Sequence, residues 1–207
     1  MSLSNYSELQ AAVQDWLHIG GLSARVPDFI ALAEADVQRR LFIRANEDST
    51  TAALTSSLSL PSDFVRAKRV AVEVGGKYRD LEYVPAENMS DIGSSGVPAF
   101  YTLQGDSLYT DPSPDGAYNI QLRYWKRFPA LSNSSPTNWL LTNAPDVYLY
   151  GALAHSAPFV GQDSRVALWV QAYDRAIDQL ISADKMDRYG PALSVRLDTQ
   201  PGNVRLA

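Results

Sequence analysis

The stretch from residue 133 to residue 153, NSSPTNWLLTNAPDVYLYGAL, is where the chain changes from strand patterns to helix patterns. Its first half is polar and contains Pro136, which is typical of a loop. Pro145 then favours a helix start, because a proline in the first turn has no N–H that would be left unpaired. Apolar residues follow at helical spacing: Val147, Leu149, Tyr150, Leu153 and Ala157. The stretch therefore predicts a return from a β-rich region into a helical one.

The N-terminal part of the chain predicts two helices. In the first, Ser4 or Asn5 can cap the free N–H groups of the first turn, and Gly20-Gly21 is the predicted end. The second is predicted to begin near Pro27. Apolar residues recur at steps of three and four in both helices: Tyr6, Leu9, Val13, Trp16 and Leu17, then Phe29, Ile30, Ala33, Val37 and Leu41.

The middle of the chain, from Thr50 to about Lys126, alternates apolar and polar residues between turns, which is typical of β-strands. Two glycines, Gly75-Gly76, separate two such runs and predict a hairpin, since the favoured turn needs positive φ at both positions. A second hairpin is predicted around Gly105-Asp106, and a short helix over residues 86–92. A last alternating strand carries Ile120, Leu122 and Tyr124. A small antiparallel β-domain, built as a sandwich or a curved sheet, is the expected result.

A final amphipathic helix is predicted from a cap at Asp163 or Ser164 to about Asp184, and residues 185–207 show no clear period. The predicted class is α+β, with a helical bundle formed by the N- and C-terminal helices and an inserted antiparallel β-domain. The predicted division is 1–49 with 132–184 for the bundle, 50–131 for the β-domain and 185–207 for a flexible C-terminal arm.

Composition excludes several classes of function. The formal net charge is -5 and the isoelectric point is about 5.0, whereas a protein dedicated to gripping nucleic acid is usually basic. The chain has no cysteine, which removes disulfides, thiol nucleophiles and thiolate metal sites. Neither a signal peptide nor an apolar run of the roughly 20 residues needed to cross a bilayer is visible. We expect a soluble protein that stays in the cytoplasm where it is made.

Candidate catalytic groups are sparse. His18 and His155 lack partners at metal-ligand spacing, so we interpret them as surface or locally bonded histidines. No serine lies in a G-x-S-x-G turn, and no phosphate-binding glycine motif occurs. Paired carboxylates could in principle hydrolyse glycosides, and the pairs that come into question are Glu47-Asp48, Asp80-Glu82 and Glu87-Asp91. Solvated or capping acids are the simpler interpretation, and we expect neither a cofactor nor a metal.

Three parts of the sequence together resemble the head-to-tail adaptor proteins of tailed phages, related to the tail tubular protein A of short-tailed phages. The third part is the most specific, and the resemblance runs from about Leu3 to Asp184 in order and spacing. The parts are YSEL through VQDWL with PDFIALAEA (residues 6–35), LSLPSDF with LEYVP (58–85), and NSSPTNWLLTNAPD with LYGAL (133–153).

The resemblance implies a structural protein of the virion, made in the host cytoplasm and placed at the head–tail junction. Such adaptors form a ring, expected to be dodecameric, beneath the portal protein. They connect the portal to a tail nozzle or tail fibre protein and surround the DNA channel, through which DNA passes without sequence-specific binding. An acidic chain suits such a channel wall, and the resemblance brings no catalytic residue with it.

The C-terminal arm is the segment that we expect to dock on the portal or on a neighbouring adaptor, since arms of this kind can order on a partner. Its candidate portal-binding residues are Tyr189, Leu193, Val195, Arg196, Leu197 and Leu206.

Two other functions stay open on the sequence. The first is a carbohydrate- or peptide-binding β-module of a tail-associated protein, because tyrosines and tryptophans are abundant and such rings are enriched at binding surfaces. The second is a tail-associated hydrolase with dispersed carboxylates, against which the lack of a nucleophile, metal or cofactor motif counts.

Overall fold

The computed structural model describes residues 3–89, 95–161 and 163–189, and the class is α+β. The helical part packs helices from both ends of the described chain against one another. Its α-helices are α1 (Tyr6–Leu17), α2 (Val26–Arg40), α3 (Trp139–Asn143), α4 (Pro145–His155), α5 (Ala157–Val160) and α6 (Arg165–Tyr189). Short 3-10 helices cover Ser23–Arg25, Arg44–Asn46 and Ala86–Asn88.

Helix α1 begins as predicted and ends differently. The side chain of Asn5 accepts a hydrogen bond from the N–H of Glu8 at 3.0 Å, so Asn5 and not Ser4 is the capping residue. The prediction that Gly20-Gly21 ends the helix was wrong. His18 takes the left-handed conformation with φ 53° and its N–H bonds the carbonyl of Gln14, so the helix is finished before the glycines.

Helix α4 lies between α2 and α6. Gly151 sits where the three helices meet, and a Cβ placed on it would lie 3.0 Å from Cβ of Ala33 and 2.9 Å from a ring carbon of Tyr173. The glycine therefore permits the helices to approach closely. Pro145 occupies the first turn of α4, as the sequence predicts.

The β-part contains two four-stranded sheets with the orders β1-β10-β3-β4 and β2-β8-β7-β5. Pairing is mostly antiparallel, while β5 with β7 and β6 with β9 form short parallel pairs. The strands are β1 (Glu47–Leu54), β2 (Ser57–Ser59), β3 (Phe64–Val74), β4 (Lys77–Asp80), β5 (Glu82–Tyr83), β6 (Ser95–Gly96), β7 (Phe100–Gln104), β8 (Ser107–Asp111), β9 (Ser113–Pro114) and β10 (Tyr118–Lys126).

Both predicted hairpins are present. Gly75 and Gly76 join β3 to β4 with φ of 58° and 75°, and the second hairpin joins β7 to β8. The helix predicted over residues 86–92 was wrong for residues 86–89, because Ala86–Asn88 form a single 3-10 turn and Met89 is already extended. Residues 90–92 lie outside the described residues. Strand β1 was missed, since its sequence EDSTTAAL has too little apolar alternation to mark a strand.

Two separate apolar cores hold the described chain together. The helical core takes its buried residues from positions 6–43 and 128–177, and Tyr148, Phe29 and Leu9 are among its largest fully buried side chains. The β-core takes its buried residues from positions 54–124 and fills the space between the two sheets, with Leu108, Ile120 and Leu122 fully buried.

Helix α6 continues five residues past Asp184, to Tyr189. The sequence interpretation ended this helix at Asp184, so the first residues that it assigned to the arm are helical. In the described part of the chain, no helix is both long and apolar enough to span a membrane.

Candidate functional site

The candidate functional site is the junction where the chain leaves the helical part after residue 41 and returns to it after residue 126. Asn46 ties the two crossings together, because its side-chain amide donates to the carbonyls of Leu41 at 3.1 Å and Lys126 at 3.3 Å. Its Oδ1 also accepts the N–H of Ile43 at 2.9 Å. A buried asparagine whose polar atoms are all satisfied fixes the relative path of the two segments.

Asn138 organises the returning segment. Its Oδ1 accepts the N–H of Leu141 at 2.9 Å and so caps α3. Its amide donates to the carbonyl of Pro129 at 2.8 Å and to the hydroxyl of Tyr148 at 2.7 Å. The same polar side chain therefore starts a helix, holds the preceding loop and orients a buried tyrosine.

Glu34 of α2 completes this network. Its Oε1 accepts the N–H of Leu131 at 2.8 Å and the hydroxyl of Tyr148 at 3.3 Å. Burial raises the pKa of Glu34 above its ordinary value, and the two hydrogen bonds only partly offset that. Burial likewise raises the pKa of Tyr148. These contacts position the returning chain on α2.

A second network joins α2 to α6. Asp36 accepts the hydroxyl of Tyr173 at 2.9 Å and pairs with Arg39 and Arg40, while Arg40 also pairs with Asp174 at 2.7 Å. Burial alone would raise the pKa of Asp36, but the hydrogen bonds from Tyr173 and the arginines lower it. The hydrogen bonds from Tyr173 and from the two arginines thus stabilise the ionised form of this carboxylate between the helices.

Arg165, the first residue of α6, binds the end of α1. Its guanidinium donates to the carbonyls of Trp16 at 3.0 Å and Leu17 at 3.3 Å, which are among the carbonyls left unpaired at a helix C-terminus. Asp163 holds the same guanidinium through a pair at 2.7 Å. The contact fastens the C-terminal end of α1 to the beginning of α6.

The far end of α6 meets the β-part. Arg188 pairs with Glu47, the first residue of β1, at 2.6 Å. Asp184 accepts the N–H of Arg44 at 2.7 Å, and Asp187 pairs with the Arg44 side chain at 3.3 Å. A cleft of about 320 Å³ opens beside these contacts between α6 and Trp139. Charged side chains therefore join helix, junction and sheet at one place.

The residues considered for catalysis lie at helix ends or form ion pairs. His18 ends α1 and His155 ends α4. Glu47, Asp48 and Asp80 each pair with a cation, respectively Lys68 at 2.6 Å, Lys126 at 2.8 Å and Arg69. Within residues 3–89, 95–161 and 163–189, no group of three or more His, Cys, Asp or Glu side chains could hold a metal ion. Asp91 lies outside the described residues.

The candidate portal-binding residues are not brought together by the described structure. Tyr189 is the last residue of α6. The other five lie outside the described residues: Leu193, Val195, Arg196, Leu197 and Leu206.

The sequence interpretation missed the residues that build the junction. Asn138 could have been found, because an asparagine directly before the Trp139-Leu140-Leu141 run is a typical capping position. Glu34 and Asn46 carried no such signal, since an isolated polar residue in a helix or loop does not show that a partner 97 positions away approaches it. In the same run, Leu140 and Leu141 are buried in the helical core, while Trp139 is 41% exposed and stacks on Phe128 with ring centroids 6.2 Å apart.

The junction is a packing element of an α+β fold, in which polar networks position segments of the chain. A family model described as SU10 adaptor protein matches residues 4–196. The match covers nearly the whole sequence, and the chain belongs to this family. A comparison with curated proteins gave no significant match.

Family membership agrees with the resemblance to the head-to-tail adaptors of tailed phages. It gives the protein a structural role as a phage adaptor, places it in the virion and implies that the role is not enzymatic.

Proposed function

We propose that the protein is a head-to-tail adaptor subunit that forms a closed ring beneath the portal, links the portal to the tail and surrounds the DNA channel. The match of the adaptor family to residues 4–196 is the observation that carries this proposal. A ring needs two different surfaces on each subunit that fit each other and close by rotation. The partners are the portal protein above and a tail nozzle or tail fibre protein below, and DNA passes without sequence-specific binding. Assembly takes place in the host cytoplasm.

Exposed apolar side chains on α6 support an assembly role. Leu168 is 64% exposed and Met186 is 75% exposed, and Val170 is exposed as well. Interfaces between proteins are rich in such side chains, which bury apolar area on association. The face of α6 that carries Leu168 and Met186, which lie five turns apart, is thus a suitable surface for a neighbouring subunit or a partner.

The proposed organisation has three parts: a helical bundle built from both ends of the chain, an inserted β-domain and a C-terminal arm. The separate apolar cores support the first two. The arm begins after Tyr189 in this proposal, because residues 185–189 are helical.

The test mixes the purified protein with its portal and measures mass by light scattering and ring symmetry by electron microscopy. We expect a closed adaptor ring on the portal. Deleting residues 190–207 should leave α6 intact but prevent the protein from joining the portal. Replacing Leu193, Val195 and Leu197 by serine should have the same two results. A matched control replaces Thr199 and Gln200 by serine and should join normally. A truncated protein that assembles like the full chain would overturn the role of the arm.

A second candidate function is carbohydrate or peptide binding by the β-domain. The observation that favours it is a pair of exposed aromatic rings, Phe100 and Tyr109, which the register of β7 and β8 places on the same face of the second sheet. Such rings stack on sugars or pack against apolar side chains. Replacing Phe100 and Tyr109 by serine distinguishes the two functions, because an adaptor ring should still form on the portal, whereas binding of glycan or peptide arrays should be lost.

A further inference from the structure

The last two turns of α6 are held differently from the rest of the helix. Its buried core residues end with Ile177, and Leu180 and Ile181 pack partly against the same core. From Ser182 to Arg188 no described side chain belongs to either apolar core, and Met186 is 75% exposed. Apolar burial, which is the main stabilising contribution elsewhere, therefore does not fasten this end of the helix.

Charged contacts fasten this end of α6 instead of apolar burial. The carboxylate of Asp184 accepts the N–H of Arg44 at 2.7 Å and also the Nε–H of Arg188 at 2.5 Å. Asp187 pairs with Arg44 at 3.3 Å, and Arg188 reaches Glu47 at 2.6 Å. Each turn of this helix end thus bonds a residue outside the helix.

Glu47 connects the helix end to the sheet. Its Oε1 accepts from Arg188 and, at 2.6 Å, from Nζ of Lys68 on β3. Three of these side chains are partly shielded, with 12% exposure for Asp184, 25% for Glu47 and 26% for Arg188, whereas Arg44 and Asp187 are well exposed. Ion pairs at this depth are stronger than fully exposed ones, yet dissolved salt still screens them.

We propose that Arg44, Glu47, Asp184, Asp187 and Arg188 form a charge-dependent latch that fastens the end of α6 to the first strand of the β-part. Opening the latch costs little apolar burial, so it frees residues 182–189 while both cores stay folded. Because residue 190 follows directly, the closed latch fixes the point beside β1 from which residues 190–207 continue. This last consequence rests on the proposed adaptor function, whereas the latch itself does not.

Amide hydrogen exchange of residues 182–189 in the full chain tests the latch. In Arg188→Gln at low salt, we expect exchange there to be faster by roughly threefold to tenfold, with no change in the cores. Raising the salt from 50 mM to 1 M should accelerate the wild-type segment in the same way and affect Arg188→Gln less, because only the Arg44–Asp187 ion pair of the latch remains in that variant. Equal exchange in wild type and Arg188→Gln, or exchange insensitive to salt, would overturn the latch.

Two further variants control for general effects of charge. Arg25→Gln removes the same charge from an exposed pair with Asp28 at 3.4 Å and should leave residues 182–189 unchanged. Glu47→Gln combined with Arg188→Gln should have a smaller effect than the sum of the two single variants, because both remove one shared contact while each also loses a contact of its own. Fully additive effects would show that the two side chains act separately and would contradict the latch.

Binding to the portal tests the adaptor proposal separately from the latch. If the wild-type protein does not join a portal, the adaptor proposal fails while the exchange experiment still decides the latch. If joining occurs, Arg188→Gln should weaken it less than deletion of residues 190–207 does.

Discussion

The helical core and the β-core are assembled from the chain in opposite ways. The β-core draws its buried residues from one uninterrupted stretch, positions 54–124, whereas the helical core needs positions 6–43 and 128–177 together. The inserted part can thus complete its core from local chain, while the helices can bury their apolar faces only after both ends meet. Contacts between distant positions carry a larger cost of loop closure.

The two cores also differ in how they use polar groups. The helical core is bordered by the partly buried carboxylates Glu34 and Asp36, each bonded to a tyrosine hydroxyl. In the described part of the chain, the β-core has one such contact, from the hydroxyl of Tyr124 to Asp63 at 3.1 Å, and it also buries the side chain of Thr102. Partly buried polar contacts need a particular geometry to be satisfied, so they specify how the helices meet, which apolar packing alone specifies less sharply.

Truncation of one leucine in each core should have the largest effect and would show whether the cores unfold separately. Leu122→Ala and Leu153→Ala each leave a cavity and should lower the free energy of unfolding by about 2–5 kcal/mol. We expect hydrogen exchange to rise mainly in β3 and β10 for Leu122→Ala, and mainly in α2 and α4 for Leu153→Ala. An equal loss of protection in both parts for either variant would show a single cooperative unit instead.

Substitution of Gly151 should have the next largest effect and is confined to the helical core. A methyl group would lie 2.9 Å from the Tyr173 ring, which its hydrogen bond to Asp36 restrains. Although alanine favours a helix, we expect Gly151→Ala to lower stability to urea by about 1–3 kcal/mol, because overpacking outweighs propensity. Gly116→Ala is the control, since nothing lies within 4 Å of its Cβ position, and it should change stability little.

Substitution of Glu34 should have the smallest effect and separates its charge from its hydrogen bonds. Glu34→Ala leaves the N–H of Leu131 and the hydroxyl of Tyr148 without an acceptor and should cost about 1–3 kcal/mol. Glu34→Gln retains an acceptor and should be nearly neutral at pH 7. Urea unfolding, with the exposed Asp178→Asn as the control, measures both.

The raised pKa of Glu34 predicts how the stability of the fold changes with pH. Because the folded state raises the pKa of Glu34 above its ordinary 4.5, folding favours the protonated form. Its contribution to stability is complete below pH 4.5 and is lost as the pH rises through the raised pKa. Glu34→Gln should remove this component of the pH profile, and an unchanged profile would contradict the assignment.

How far the sequence could predict this structure depends on the range of the interaction. The stripe of α2, the Gly75-Gly76 hairpin and the helix start at Pro145 were predictable because each depends on residues a few positions apart. Strand β1 was not, since its residues are mostly polar and it is a strand because β10 pairs with it. The end of α6 was placed too early, because charged contacts to distant residues hold it.

The residues of the junction likewise divide into those that local sequence predicts and those that depend on distant contacts. The returning stretch of residues 133–153 could be identified as the link between β-part and bundle from its own pattern, and Asn138 and Pro145 act there through local hydrogen bonds and backbone preference. By itself, the sequence determined most of the element types, the α+β class and the family resemblance. Only the tertiary structure decided that Asn46, Glu34 and Arg188 are the joining residues, because a polar contact across 80 to 141 positions depends on where two distant segments come to lie.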